Sequence, residues 1–220
     1  MVRARLNQEE FKMARNLDPK CKRCRREGEK LFLKGDKCFT PKCPIIKRNY
    51  PPGMHGPKFH GQRLTQYGTQ LREKQKVKHI YGILEKQFSN YVQKAMKGGG
   101  DSGANLLNLL ELRLDNVIYR IGLAKSRSIA RQLVSHNHIL VNNKTVNIPS
   151  AQLKVGDQIS IKERSKNLFS EIEKNPQKQT LPSWLEYEQK KMAGKVLSKP
   201  PFDEVKQTLN IPIVIEFYSR

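Results

Sequence analysis

All four cysteines of the chain lie within 23 residues, as Cys21, Cys24, Cys38 and Cys43, spaced C-x2-C-x13-C-x4-C. Two thiols two residues apart can grip one ion from a tight turn. A loop of about a dozen residues then returns the second pair to complete a tetrahedral site. Lys22, Arg23, Arg25, Arg26 and Lys42 would offset the negative charge of a metal held by four thiolates. Zinc is the expected ion; an iron–sulfur cluster is the alternative that spacing does not separate. Four protein ligands leave no open position, so the site reads as structural, folding a segment too poor in apolar residues to fold alone. The first 17 residues, MVRARLNQEEFKMARNL, lack an apolar signal region. A reducing, cytoplasmic compartment is therefore expected, which argues against disulfides.

Charge is the second constraint. Lys and Arg number 42 against 20 Asp and Glu, a net +22 over 220 residues. Residues 1–60 carry +10, 61–104 carry +5, 105–165 carry +5 and 166–220 only +2. Apolar residues interleave throughout, so this is a folded basic surface rather than a disordered arm. Solubility needs far less charge, and a polyanionic partner is expected. No run approaches eighteen apolar residues, which excludes a membrane-spanning helix.

The pattern along the chain predicts an α+β protein: a mostly helical N-terminal domain with the four-cysteine site, then an α/β module of two helices and a small antiparallel sheet. KRNYPPGMHGPKFHG (47–61) is a loop, given its prolines and glycines. From Thr69 to Ala95, Val77, Leu84, Phe88 and Val92 mark one long amphipathic helix, ended by Gly98–Gly100. A second helix runs from an Asn105 cap to Gly122, and a third opens at Ser126. HILVNNKTVNI is a hairpin turning at Asn142–Asn143, VGDQISIKE is a strand, and IPIVIEFYS (211–219) is a closing strand. The expected division is 1–104, 105–165 and a C-terminal segment, 166–220, packed against both.

Arg113, Asn116 and Arg120 form a stripe turned away from the leucine face of the second helix. Lys125, Ser126, Arg127 and Arg131 gather cations at a helix N-terminus that suits a phosphate. His136 and His138 follow at its end, as RNA contacts or helix caps. The alternative for Arg113 and Arg131 is pairing with acids such as Glu111 and Asp115.

Read in order, LELRLDNVIYRIGLAKSRSIARQLVSHNHILVNNKTVNIPSAQLKVGDQISIKE (110–163) resembles the RNA-binding module first recognised in protein four of the small ribosomal subunit. CKRCRREGEKLFLKGDKC followed by KC (21–43), YPPGMHG (50–56), YGTQLREKQKVKHIYGILEKQFSNYV (67–92), PSWLEYEQKKMAGKV (182–196) and IPIVIEFYSR (211–220) resemble the bacterial-type members of that family. The resemblance implies a non-enzymatic protein of the cytoplasmic ribosome, bacterial rather than organellar. It implies binding to the 5′ domain of small-subunit ribosomal RNA early in assembly, beside neighbouring ribosomal proteins. It also implies a place near the channel through which messenger RNA enters, and a role in translational accuracy. Lys58, His60, Arg63, Arg72 and Lys76 are the residues expected to face RNA there. Met13–Ala14–Arg15 looks like the family's usual start, leaving 1–12 as an extension: an extra RNA-contacting tail or a misassigned start codon. Two rivals fit less well. An RNA-modifying enzyme lacks room for a catalytic domain, and a zinc-dependent DNA regulator lacks a recognition helix or dimerising element.

Overall fold

A computed structural model describes residues 18–58, 64–169, 181–188, 192–202 and 209–219. His60, Arg63 and the extension 1–12 lie outside these residues. The fold is α+β, and among the described residues no helix is long and apolar enough to cross a membrane.

Three short helices, α1 (Lys20–Glu27), α2 (Asp36–Phe39) and α3 (Pro44–Lys47), surround a small core of Cys24, Leu31, Cys43 and Ile45. The expected helix over 69–95 is two helices, α4 (Gln66–Tyr81) and α5 (Glu85–Lys97). Gly82 divides them at φ 64°, where Gly82 N–H donates to His79 O and Ile83 N–H to Lys78 O. That pair of bonds is a helix-terminating motif for which glycine's left-handed freedom is suited.

The expected second helix also divides. Asp101, not Asn105, caps α6 (Ser102–Glu111), accepting from Gly103 and Ala104 N–H at 2.9 and 3.2 Å. At Leu112–Arg113 the backbone leaves the helix to bond residues 151–153, with Leu153 N–H on Leu112 O and Leu114 N–H on Ala151 O, both 2.9 Å. The chain then resumes as α7 (Leu114–Ile121), stopped by Gly122. Ser126 caps α8 (Arg127–Ser135) as expected.

The hairpin β1 (Ile139–Val141) and β2 (Lys144–Thr145) turns at Asn142–Asn143, with φ 48° and 64°, values that asparagine tolerates. β3 (Gln158–Ile161), β4 (Leu185–Glu188) and β5 (Ala193–Val196) complete an antiparallel sheet ordered β2-β1-β3-β5-β4. Its core includes Ile118, Ile139, Ile159, Phe169, Trp184 and Val196.

The expected closing strand is instead a helix, α9 (Ile211–Ser219). Ile211 and Val214 enter the core of α4, α5 and α6, and Tyr218 packs at its margin. Those positions follow a helical period, and Pro212 suits a first helical turn. The alternating β-branched residues suggested a strand, and packing against three helices prevailed.

Candidate nucleic-acid interface

The division of the second helix reorients its basic stripe. Arg113 stands in the connector rather than on a helix face, and it is fully buried. Its Nε and Nη2 donate to the two Asp115 oxygens at 3.1 and 2.9 Å, and its Nη1 to Tyr91 Oη at 2.7 Å. Burial opposes the Arg113 charge, but Asp115 and Tyr91 overcome it and raise its pKa.

Asn116 is buried as well. Its Nδ2 donates to Glu111 Oε2 at 2.7 Å, and its Oδ1 accepts from Arg127 Nε at 2.8 Å. Glu111, with no exposed surface, also accepts from Tyr81 Oη at 2.6 Å and from Arg120 Nε and Nη2 at 3.0 and 2.7 Å. Burial alone would raise the Glu111 pKa, but Arg120 and the other donors hold it below the usual range. Burial, with Glu111 beside it, pushes Tyr81 well up. The Arg127 guanidinium lies over the rings of Tyr119 and Tyr81, 4.5 and 5.1 Å from their centres. Arg113 and Asn116 of the predicted outward stripe therefore lie inside, in contacts that tie α4, α5, α6, α7 and α8 together, while the Arg120 side chain stays 30% exposed. Tyr81, Tyr91 and Tyr119 share those contacts, although no spacing in the sequence marks them.

Other cations also reach solvent. Lys125 and Arg131 keep partial exposure, Lys125 pairing with Asp36 at 2.9 Å and Arg131 lying 3.6 Å from Asp115. Ser126 is buried as the cap of α8. His136 is exposed and stacks on His138, with ring centres 6.1 Å apart. His138 Nδ1 is 2.8 Å from Ser165 Oγ, and burial followed by the nearby His136 and Lys162 lowers its pKa. Lys58 is exposed, whereas Lys76 is bound to Glu29 at 2.6 Å and Arg72 is half-buried.

The cysteines do converge: all four line one cavity of about 10 Å³, together with Lys34, Lys37 and Ile45. Cys38 Sγ accepts from Lys34 N–H at 3.4 Å. Burial raises the Cys24 thiol, and the other three cysteines add to that rise. This donor set suits a thiophilic ion. Yet among the described residues no group of three or more His, Cys, Asp or Glu side chains is placed to hold a metal, and all four thiols are free. The expected site is thus not assembled as a ligand group. Cys24 and Cys43 pack in the small core instead, and Cys21 is half-exposed.

The sheet with α7 and α8, joined to a cationic helical region, defines an S4-domain protein. Two family models match the sequence: one described as the ribosomal protein S4/S9 N-terminal domain over residues 15–111, the other as the S4 domain over 112–159. Small ribosomal subunit protein uS4 of Nitrosospira multiformis is 54% identical over 211 residues, covering 94% of this chain and all of that protein. Protein uS4A of Nitrosomonas europaea is 52% identical over the same coverage. Protein uS4 of Caldicellulosiruptor saccharolyticus is 51% identical over 210 residues, again covering 94% of this chain and that whole protein. The chain belongs to the small ribosomal subunit protein uS4 family.

Proposed function

We propose that this protein is a non-catalytic constituent of the small ribosomal subunit that binds the 5′ domain of its ribosomal RNA and helps nucleate assembly. The carrying observation is the match to uS4 proteins along their whole length, by a chain of net +22. A surface of that charge is suited to RNA, where phosphate neutralisation dominates affinity. Lys125, Arg131, His136 and His138 reach the surface and contact RNA in this reading. Arg120, partly exposed, contacts RNA too, whereas Arg113 and Asn116 are positioning residues that hold the helices beneath that surface and Ser126 and Arg127 set the start of α8. Neighbouring ribosomal proteins share the site. The segment after YPPGMHG, with Lys58, His60, Arg63, Arg72 and Lys76, faces messenger RNA where it enters and bears on accuracy. Residues 1–104, 105–165 and 166–220 are its three parts. In this reading Cys21, Cys24, Cys38 and Cys43 take a structural zinc ion, with an iron–sulfur cluster as the alternative; the support is their spacing and their place around one cavity.

Hydroxyl-radical footprinting of a small-subunit RNA 5′-domain transcript, with this protein alone, tests the reading. Protection of one RNA junction at nanomolar protein is expected. Equal protection of arbitrary duplex DNA would defeat it.

A further inference from the structure

Phe32 has φ 49°, a left-handed conformation unusual for a large aromatic residue. Its ring stacks on Phe39 with centres 5.0 Å apart and planes 29° apart. Burial does not explain the arrangement, since Phe32 is 39% exposed and Phe39 62% exposed. Strain of this kind persists only where the surroundings impose it, and it clusters at ligand sites. The loop is clamped three residues on: a Cβ at Gly35 would collide with Lys125 O, and Asp36 is paired with Lys125. Lys30, Lys34 and Lys37, close to the two rings in sequence, are exposed.

Phe32 also lines a cavity of about 70 Å³ with Lys20, Arg23, Arg127, Ser128 and Arg131. Lys20 Nζ donates to Ser128 Oγ and spans the two walls. Asp115, also on the lining, is already engaged by Arg113 and Arg131, so the cavity remains cationic. Arg23 lines this cavity, and its Nη2 is buried without a hydrogen-bond partner. A buried guanidinium nitrogen lacking an acceptor calls for an oxyanion. The space admits a phosphate.

We propose that Phe32, Phe39 and this cavity form a site for one unpaired RNA nucleotide, its base stacked on the exposed rings and its phosphate held beside Arg23. The site rests on the RNA-binding reading above and adds to it a preference for a splayed base. Duplex RNA cannot offer a free base face, whereas a bulge or loop can. An apolar protein partner would use the rings but not the cationic cavity.

The test uses the full chain, a 5′-domain transcript and a uniform RNA duplex. The variant Phe32→Gly with Phe39→Ala is expected to bind the transcript about tenfold more weakly, with the duplex unaffected and the salt slope unchanged. Arg23→Gln is expected to flatten that slope by about one phosphate. Phe39→Trp, which keeps a stacking face, is expected to bind at least as tightly as the parent. Parental transcript affinity in the double variant, or a loss shared equally with the duplex, overturns the site while leaving the RNA reading intact. So does Phe39→Trp binding as weakly as Phe39→Ala. Loss of co-sedimentation with small subunits at unchanged RNA affinity assigns the rings to a protein and overturns it too. A parent chain that binds the transcript no better than the duplex ends both readings.

Discussion

Glu111 accepts hydrogen bonds from Tyr81, Asn116 and Arg120 without any exposed surface, and Arg127 is held over Tyr81 next to it. Such a group is costly to bury and costlier to remove, because its cations are then stranded in a low dielectric. Glu111→Ala should lose about 3–5 kcal/mol in urea unfolding, whereas Asp36→Ala, which breaks the more exposed pair with Lys125, should lose less than about 1 kcal/mol. Equal losses in the two variants would show that the interior network carries no special stability. The same reasoning governs any substitution of Arg113 or Arg120: weakened RNA binding would follow from a loosened fold as well as from a lost contact. The acids Glu111 and Asp115 were visible in the sequence as alternative partners. Their depth was not, because it depends on the break at Leu112–Arg113, which is made by backbone bonds to residues 151–153.

At the scale of elements, α9 is latched onto α4 and α5 by one carboxylate. Glu85 accepts from Lys74 and Lys78 at 2.8 Å each and from Tyr218 Oη at 2.7 Å, while Lys74 also lies over the Phe217 ring. Burial would raise the Glu85 pKa, but these three donors bring it to about 2. A depressed carboxylate stabilises the fold above its unfolded value, near 4.5, and that contribution fades as pH falls toward 2. His79, at the end of α4, is lowered to about 4 by burial and by the nearby Arg23 and Lys78. Its neutral form belongs to the folded state, so stability is also lost as pH falls from 6.5 to about 4. The melting temperature should therefore fall in two overlapping stages on acidification. Glu85→Gln should be less stable at pH 7 and show a flatter slope below pH 4.5; an unchanged slope would discount the latch. The long apolar periodicity over 69–95 was legible, and its interruption at Gly82 was signalled by that glycine. The helical state of 211–219 was not, since a short β-branched run reads equally as strand until its packing partners are known.

At the scale of the molecule, the buried apolar side chains among the described residues form three clusters, and the C-terminal part serves two of them. β4 and β5 extend the sheet of the S4 domain, while α9 closes the helical core. The net charge of only +2 over 166–220 agrees with this packing role, and the basic excess lies in the regions before it. The third cluster is the weak one, with two of its four buried members cysteine thiols. Around this small core the described residues add α1 against α4, Asp36 paired to Lys125 and Arg25 donating to Tyr50 O and Pro51 O. If the proposed ion is held by the four cysteines, it adds to that stability, since binding energy at such a site is folding energy. Freshly purified protein should then contain about one zinc per chain by elemental analysis. A strong chelator should raise proteolysis within residues 20–47 while leaving the core of the S4 domain protected in hydrogen exchange. Full occupancy by iron and sulfide would transfer the role to a cluster. Folded protein with four titratable thiols, no metal and the same protease resistance would show that packing alone holds the segment.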